Sequence, residues 1–182
     1  IISPTRDFYE SLLPKFRNKL NFHWALEALE ENSYSSKDDI SDETTQSKTL
    51  DDATDDTSAH NQSSIVFLLE TDEKQKFLFT GDAGRDAFNH VPQTLLGKVK
   101  DVTWMKVPHH GSKHNLDSTI IKHVNPEIAY ISTEKQGKYL NRSTVFALKK
   151  NGTKVYSTSQ NRSTIRHGAI KTREGWTKIE PM

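Results

Sequence analysis

Two short apolar runs, each followed at once by side chains able to bind a metal, constrain this sequence most. Residues 76–80 precede Asp82, and residues 102–107 precede His109 and His110. Both runs have the length of a β-strand and are rich in aromatic and β-branched residues. The stretch between them has apolar side chains at helical spacing, so we predict the order strand, helix, strand. Because the C-terminal ends of such strands converge on one edge of a sheet, we expect Asp82 and the histidines to meet there.

The side chains at these strand ends predict a metal site. A carboxylate and a neutral imidazole are both ordinary Zn²⁺ ligands. Each motif alone is a weak signal, because Gly-Asp after a strand is usually a turn. The two motifs together, each closing a strand, indicate a shared site. Four other histidines are expected to be surface residues: His90, His114, His123 and His167.

The rest of the chain alternates strand and helix patterns. Pro92 argues against one continuous helix at 85–96, and Pro14 should kink or end an N-terminal helix. We therefore predict an α/β (α+β) fold in which a mixed sheet is flanked by helices. Further strands are expected at 64–70, 128–132 and 154–158, and further helices at 8–16, 21–31, 116–124 and 143–150.

An acidic stretch divides the chain. Residues 37–56 hold eight acidic residues and two lysines. The surrounding residues have almost no large apolar side chains, so they cannot bury enough surface to offset the entropy lost on ordering. We predict a disordered insertion at 32–60 between a helical segment at 1–31 and the main part of the domain at 61–182. Its expected role is a linker; the alternative is an acidic mimic of nucleic acid, or a lid over a basic groove.

Composition limits the class of protein. Outside residues 37–56 the chain has 23 basic against 16 acidic residues, which permits a polyanionic partner such as nucleic acid. The absence of cysteine excludes disulfides and thiolate metal sites. No apolar run reaches membrane-spanning length, and we predict a cytoplasmic protein. Because residue 1 is isoleucine, we expect a trimmed product that lacks upstream sequence.

The motif string resembles one family of hydrolases. Thr80-Gly81-Asp82-Ala83, the run from Lys106 to Ser112, and the segments 61–66 and 125–132 together resemble the C-terminal half of a metallo-β-lactamase-fold hydrolase, in the ComEC-type competence-protein branch. The resemblance implies an αββα sandwich. It also implies one or two divalent metal ions, with zinc expected and manganese as the alternative, that activate a water for hydrolysis of a phosphodiester, amide, ester or thioester.

The resemblance also implies roles for individual residues. Asp82 matches the aspartate that bridges two metals, and either His109 or His110 matches the final histidine ligand. We favour His110, which leaves His109 to support a ligand or contact substrate. Ser112 and Lys113 follow on the same loop and are expected to contact a phosphate. His60 occupies a position that holds a ligand in many members of the family, whereas in the ComEC-like branch the matching residue is Asn61.

One part of the family pattern is missing. No His-x-His-x-Asp-His motif occurs in the sequence, and the two ligands that remain cannot satisfy a Zn²⁺ ion. We therefore expect an upstream half-domain or a partner chain to complete the fold and the site. The complete domain is predicted to be a metal-dependent hydrolase, with a nuclease favoured, and this chain alone to be inactive. The alternative is a catalytically degenerate scaffold of the same fold that binds a protein partner or nucleic acid.

Overall fold

A computed structural model describes residues 1–17, 49–133 and 140–159, together with the short stretches 163–164, 174–175, 177–178 and 180–182. The helix predicted at 21–31 and His167 lie outside the described residues. Within these residues the strands are β1 Phe67–Glu70, β2 Lys76–Phe79, β3 Trp104–Lys106, β4 Ile128–Ile131, β5 Lys154–Ser157, β6 Ser163–Thr164 and β7 Thr177–Lys178.

The main sheet contains β1 to β5 in sequence order. The strands β1 and β2 form an antiparallel hairpin, whereas β2, β3, β4 and β5 run parallel to one another. The predicted mixed sheet and α/β class are therefore confirmed. Because β2 and β3 are adjacent and parallel, the turns that follow them lie at the same edge of the sheet, as the sequence predicts.

Helices connect the parallel strands. The helices are α1 Arg6–Arg17, α2 Ala59–Gln62, α3 Arg85–Asn89, α4 Gln93–Leu96, α5 Ser118–Val124 and α6 Arg142–Lys150, with 3-10 turns at Leu50–Asp52, Gly97–Val99 and Pro108–Gly111. Pro92 separates α3 from α4, as predicted. Of the two outcomes predicted for Pro14, an end to the helix is wrong, because α1 continues to Arg17 at the cost of one backbone hydrogen bond; a kink at Pro14 stays a prediction. None of the described helices is long and apolar enough to cross a membrane.

One face of the sheet forms the core. Leu78, Met105, Ala129 and Val155 point to this face and are fully buried. Side chains of the surrounding helices complete the same cluster: Phe8, Leu12, Ile120, Ile121, Val124 and Leu148. Burial of this apolar surface holds β3, β4 and β5 in place and so fixes the edge at which the predicted site lies.

The opposite face of the sheet is aromatic. Phe67, Phe79, Trp104 and Tyr130 form a row across four strands, with successive ring centroids 4.6, 5.2 and 6.1 Å apart. This face is not well buried: Phe67 is 40% exposed and Leu69 is 52% exposed. Soluble domains rarely leave such a large apolar surface without a function.

The acidic stretch is ordered where the structure describes it. Residues 49–58, here called the acidic strap, contain the 3-10 turn Leu50–Asp52, and Leu50 is buried in the core. The prediction of disorder was therefore wrong for 49–60, because long-range contacts that composition does not reveal hold this segment. Residues 32–48 lie outside the described part of the chain, and the division into segments at 1–31 and 61–182 stays a prediction.

Candidate functional site

The turns after β2 and β3 meet through their backbones. The N–H of His109 donates a hydrogen bond to the carbonyl of Gly81 at 3.3 Å. Gly81 has a φ of 54°, and a Cβ there would lie 3.0 Å from Cβ of Ser64, so the turn suits glycine. The N–H of Asp82 donates to Oγ of Ser64 at 3.2 Å, which fixes the start of the turn. The structure thus places Asp82 beside the histidine turn.

The histidine turn has an unusual backbone. His109 and His110 have φ values of 42° and 55°, and Gly111 follows with 89°. Left-handed backbone at a residue with a Cβ costs about 1–3 kcal/mol and persists only where surrounding contacts impose it. One such contact is the N–H of Asn141, which donates to the carbonyl of Gly111 at 3.2 Å. Such strain is concentrated at functional sites.

His109 contacts a buried carboxylate from the acidic strap. Its Nδ1 lies 3.4 Å from Oδ2 of Asp56, which is an ion-pair contact longer than an ordinary hydrogen bond. The same oxygen accepts hydrogen bonds from Nδ2 of Asn61 at 2.8 Å and Nδ2 of Asn115 at 3.0 Å. Asn115 also donates to the carbonyl of Asp82 at 3.1 Å. A single network therefore joins the strap, α2, the Asp82 turn and the histidine turn.

The charges in this network stabilise one another. Burial alone would lower the pKa of His109, but contact with Asp56 and the negative charge of Asp82 outweigh it and raise the pKa above 6.5. Burial alone would raise the pKa of Asp56, but the contact with His109 and hydrogen bonds from Asn61, the Ser58 backbone and Asn115 together lower it below 3.8. The two shifts agree in favouring an imidazolium–carboxylate pair.

His110 has a different partner. Its Nδ1 lies 2.6 Å from the carbonyl oxygen of Ser132. A carbonyl only accepts, so Nδ1 carries the hydrogen, and in the neutral ring Nε2 keeps its lone pair. This is the tautomer that a metal ligand needs. The prediction that His110 is a ligand, with His109 in a supporting role, stays a prediction.

A lysine also lies at the Asp82 turn. Nζ of Lys106 donates to the carbonyl of Gly81 at 2.9 Å and lies 3.8 Å from Oδ1 of Asp82. Burial lowers the pKa of Lys106 below its ordinary 10.5, although attraction to Asp82 opposes the shift. Lys106 thus supplies one positive charge to the carboxylate predicted to bind metal.

The residues described at this edge do not fit a metal ion by themselves. Within the described ranges no three histidine or acidic side chains are grouped closely enough to hold one. A catalytic zinc site uses three protein ligands and a water. Asp82 with one histidine supplies two, so any metal here needs ligands from outside the described residues.

Arg85 fastens the acidic strap to the histidine loop. Its guanidinium donates to the carbonyls of Leu50 and Ala53 at 3.0 and 3.1 Å. It also donates to the carbonyls of Lys113 and Leu116 at 3.2 and 3.0 Å. An ion pair of 2.8 Å with Asp55 completes its contacts, and the residue is 7% exposed. These bonds hold Asp56 within reach of His109.

The remaining predicted residues have varied environments. Ser112 is buried, and its Oγ accepts a hydrogen bond from the N–H of His114. Lys113 is half-buried on the same loop, so a phosphate contact by either residue stays a prediction. His60 is exposed and packs against Phe16, whereas its neighbour Asn61 joins the network.

The other described histidines have local partners. His90 stacks on Phe8 with ring centroids 4.1 Å apart. Nδ1 of His114 lies 2.7 Å from the carbonyl oxygen of Thr54, and Nε2 of His123 lies 3.0 Å from that of Leu96. His90 is exposed, as expected from the sequence, whereas His114 and His123 are half-buried.

Sequence reasoning missed four members of the site. Asp56 and Arg85 were overlooked because one lies in a stretch read as disordered and the other in an ordinary helix. Lys106 and Asn115 carry no motif of their own. The signal that could have pointed to these two residues was their position in the sequence: Lys106 lies close to His109, and Asn115 lies close to His110.

Comparison with known proteins identifies a relative of part of this chain. Over 128 residues, which are 69% of this chain, the sequence is 30% identical to ComE operon protein 3 of Bacillus subtilis (strain 168). The matched region is 16% of that protein, so this chain spans a small part of its relative's length. No family model matches the sequence, and no solved structure matches it.

Proposed function

We propose that this chain carries part of the active centre of a hydrolase that cleaves phosphodiester bonds in nucleic acid. The supporting observation is the contact between the Asp82 turn and the strained His109–His110 turn, at the carboxyl ends of adjacent parallel strands. Sites in α/β proteins lie at this edge. The two turns carry a carboxylate, Asp82, and two imidazoles, His109 and His110, which are side chains that hydrolases use.

Two features favour nucleic acid as the substrate. The chain outside residues 37–56 is basic, which suits a polyanion. The similarity to part of ComE operon protein 3 agrees with the resemblance to the ComEC-type competence-protein branch. For a protein of that branch we favour a nuclease that acts on DNA during uptake. A metallo-β-lactamase sandwich and the predicted cytoplasmic location belong to the same proposal.

The proposed metal requirement follows from the resemblance. Asp82 with His110 or His109 would supply two ligands to one or two divalent ions, zinc first and manganese as the alternative. The others would come from a polypeptide segment outside the described residues. When bound, the metal would supply an activated water.

We place the segment that would supply the other metal ligands on the aromatic face of the sheet. Phe67, Leu69, Phe79 and Trp104 offer a flat apolar surface on which a second β-sheet packs about 10 Å away. A second sheet fits this surface better than nucleic acid does. Two of its most exposed side chains, Ile65 and Leu69, are aliphatic, and aliphatic side chains do not stack on bases. Such packing would give the sandwich that the resemblance implies.

The test uses the full-length protein. Cleavage of single- and double-stranded DNA is measured with zinc, with manganese and with a chelator, for wild type, Asp82→Ala and Asp72→Ala. Asp72 is an exposed carboxylate in the β1–β2 turn and serves as the matched control. We expect metal-dependent cleavage that Asp82→Ala abolishes and Asp72→Ala retains. Equal cleavage by wild type and Asp82→Ala would reject the proposal.

A second function is favoured by the incomplete ligand set. With Lys106 beside Asp82 and no three-ligand group among the described residues, the fold could serve as a metal-free scaffold that binds nucleic acid or a protein. Metal analysis of the full-length protein separates the two functions. One or two bound ions per chain support the hydrolase, and none supports the scaffold.

A further inference from the structure

We propose that Asp56 is a positioning residue of this centre, which holds the His109 ring by Nδ1 and directs Nε2 away from the strap as the working nitrogen. The inference rests on the proposed function for its catalytic meaning, but its structural part can be tested without it. It assigns a role to a residue of the acidic strap, which sequence patterns mark only as solvated charge.

The first argument is the burial of the carboxylate. The side chain of Asp56 is 10% exposed, although the strap around it is largely exposed. Burying a carboxylate costs several kcal/mol unless it is paired and hydrogen-bonded. Asn61, Asn115 and His109 meet this need from three different parts of the chain. Such convergence on one oxygen fixes the position of Asp56 and leaves its charge directed at the imidazole.

The second argument is the position of the partner. The backbone of His109 is in a strained conformation, and its N–H donates a hydrogen bond to the carbonyl of Gly81. These constraints prevent the backbone from turning to reorient the ring. The ring direction is therefore set by side-chain contacts. Asp56 contacts Nδ1, so the other ring nitrogen, Nε2, is assigned to the chemistry. A carboxylate that orients an imidazole in this way is a common supporting arrangement in catalytic sites.

The third argument is the anchoring of the strap. Arg85 binds the carbonyls of Leu50 and Ala53, and Asp51 accepts a hydrogen bond from the N–H of Ser118 at 2.7 Å. In addition, the N–H of Asp56 donates to the carbonyl of His114 at 3.0 Å. The strap is thus fixed before Asp56 and at the backbone of Asp56 itself, as a positioning role requires.

The structural test reads the His109 ring directly. Long-range ¹⁵N–¹H correlation spectra of the full chain report which ring nitrogen carries hydrogen, and His109→Gln assigns the signal. At mildly alkaline pH we expect hydrogen on Nδ1 in wild type and Asp56→Asn, since the asparagine oxygen still accepts. In Asp56→Ala the ring should shift towards the Nε2–H form. Asp55→Asn is the control, because it loosens the strap but keeps the partner of His109.

The outcomes separate the inference from the proposed function. A wild-type ring with hydrogen only on Nε2, or a ring unchanged in Asp56→Ala, would overturn the positioning role whether or not the protein is active. If Asp56→Ala does not fold, the wild-type spectrum decides. In an active protein we expect Asp56→Ala to lower kcat on bis(p-nitrophenyl) phosphate by about 10- to 100-fold with KM unchanged, and Asp56→Asn to recover part of it. A wild type that cleaves nothing rejects only the proposed function.

Discussion

Arg85 offers a direct test of how the acidic strap is held. In Arg85→Met the side chain keeps most of its apolar volume but loses every hydrogen bond of the guanidinium. Two of these bonds, to the carbonyls of Leu50 and Leu116, are buried. A hydrogen bond to a charged group contributes about 1.5–3 kcal/mol, so these two alone predict a loss of about 3–6 kcal/mol.

Other terms adjust this value. The bonds to Ala53 and Lys113 are partly exposed, and water can replace them. The methionine side chain regains some hydrophobic energy from burial. We therefore expect Arg85→Met to lower the free energy of unfolding by about 3–5 kcal/mol, which is a large part of the stability of a domain of this size.

Urea denaturation followed by circular dichroism measures this loss in the 182-residue chain. Arg6→Met is the matched control, since Arg6 forms an exposed i,i+4 ion pair with Glu10 and should contribute less than about 0.5 kcal/mol. Limited proteolysis should also cut the strap faster in Arg85→Met. A loss below about 1 kcal/mol, with an uncut strap, would refute the view that Arg85 holds it.

Three further predictions concern other parts of the molecule. Gly111→Ala should lower the free energy of unfolding by about 1–3 kcal/mol, which a thermal melt measures, because Gly111 has a φ of 89° and the new Cβ would lie 3.2 Å from the Ile131 side chain. Gly97→Ala is the control and should cause no such loss, because the space around Gly97 is open. The pair of Asp56 and His109 should give a bell-shaped stability profile. Because the pKa of Asp56 is lowered, its charge contributes stability above pH 3.8 that is lost as the pH falls through its folded pKa. Because the pKa of His109 is raised, its charge contributes stability below pH 6.5 that is lost as the pH rises through its folded pKa. In Asp56→Asn, denaturation measured across this pH range should show neither loss. Phe67→Lys should reduce binding of a fluorescent apolar dye to the chain without lowering its melting temperature, and unchanged dye binding would contradict an open aromatic face.

Local patterns were sufficient for most of the architecture. The β2 and β3 runs, the break at Pro92 and the helix predicted at 143–150 all depend on short-range propensity, and each is found in the structure. The shared edge of Asp82 and His109 followed from the same reasoning, because strand direction fixes where the turns lie.

Long-range contacts account for what the sequence could not reveal. The strap is ordered by Arg85, which lies 35 residues from Leu50, 32 from Ala53 and 28 from Lys113 along the chain. The composition of the strap shows that it is acidic and poor in apolar residues, but it does not show that the buried guanidinium of Arg85 binds the strap. Asp56 could be recognised only after that contact was known. Similarly, the tolerance of α1 for Pro14 depends on packing rather than on propensity.

The measurement that tests the hydrolytic centre most directly is kcat/KM for bis(p-nitrophenyl) phosphate in the full-length protein, with saturating zinc or manganese. We expect wild type and Asp72→Ala to hydrolyse it at the same rate, and Asp82→Ala to lose about 100-fold or more. Hydrolysis by Asp82→Ala at the wild-type rate would show that the chemistry occurs elsewhere and that the two turns form no active centre.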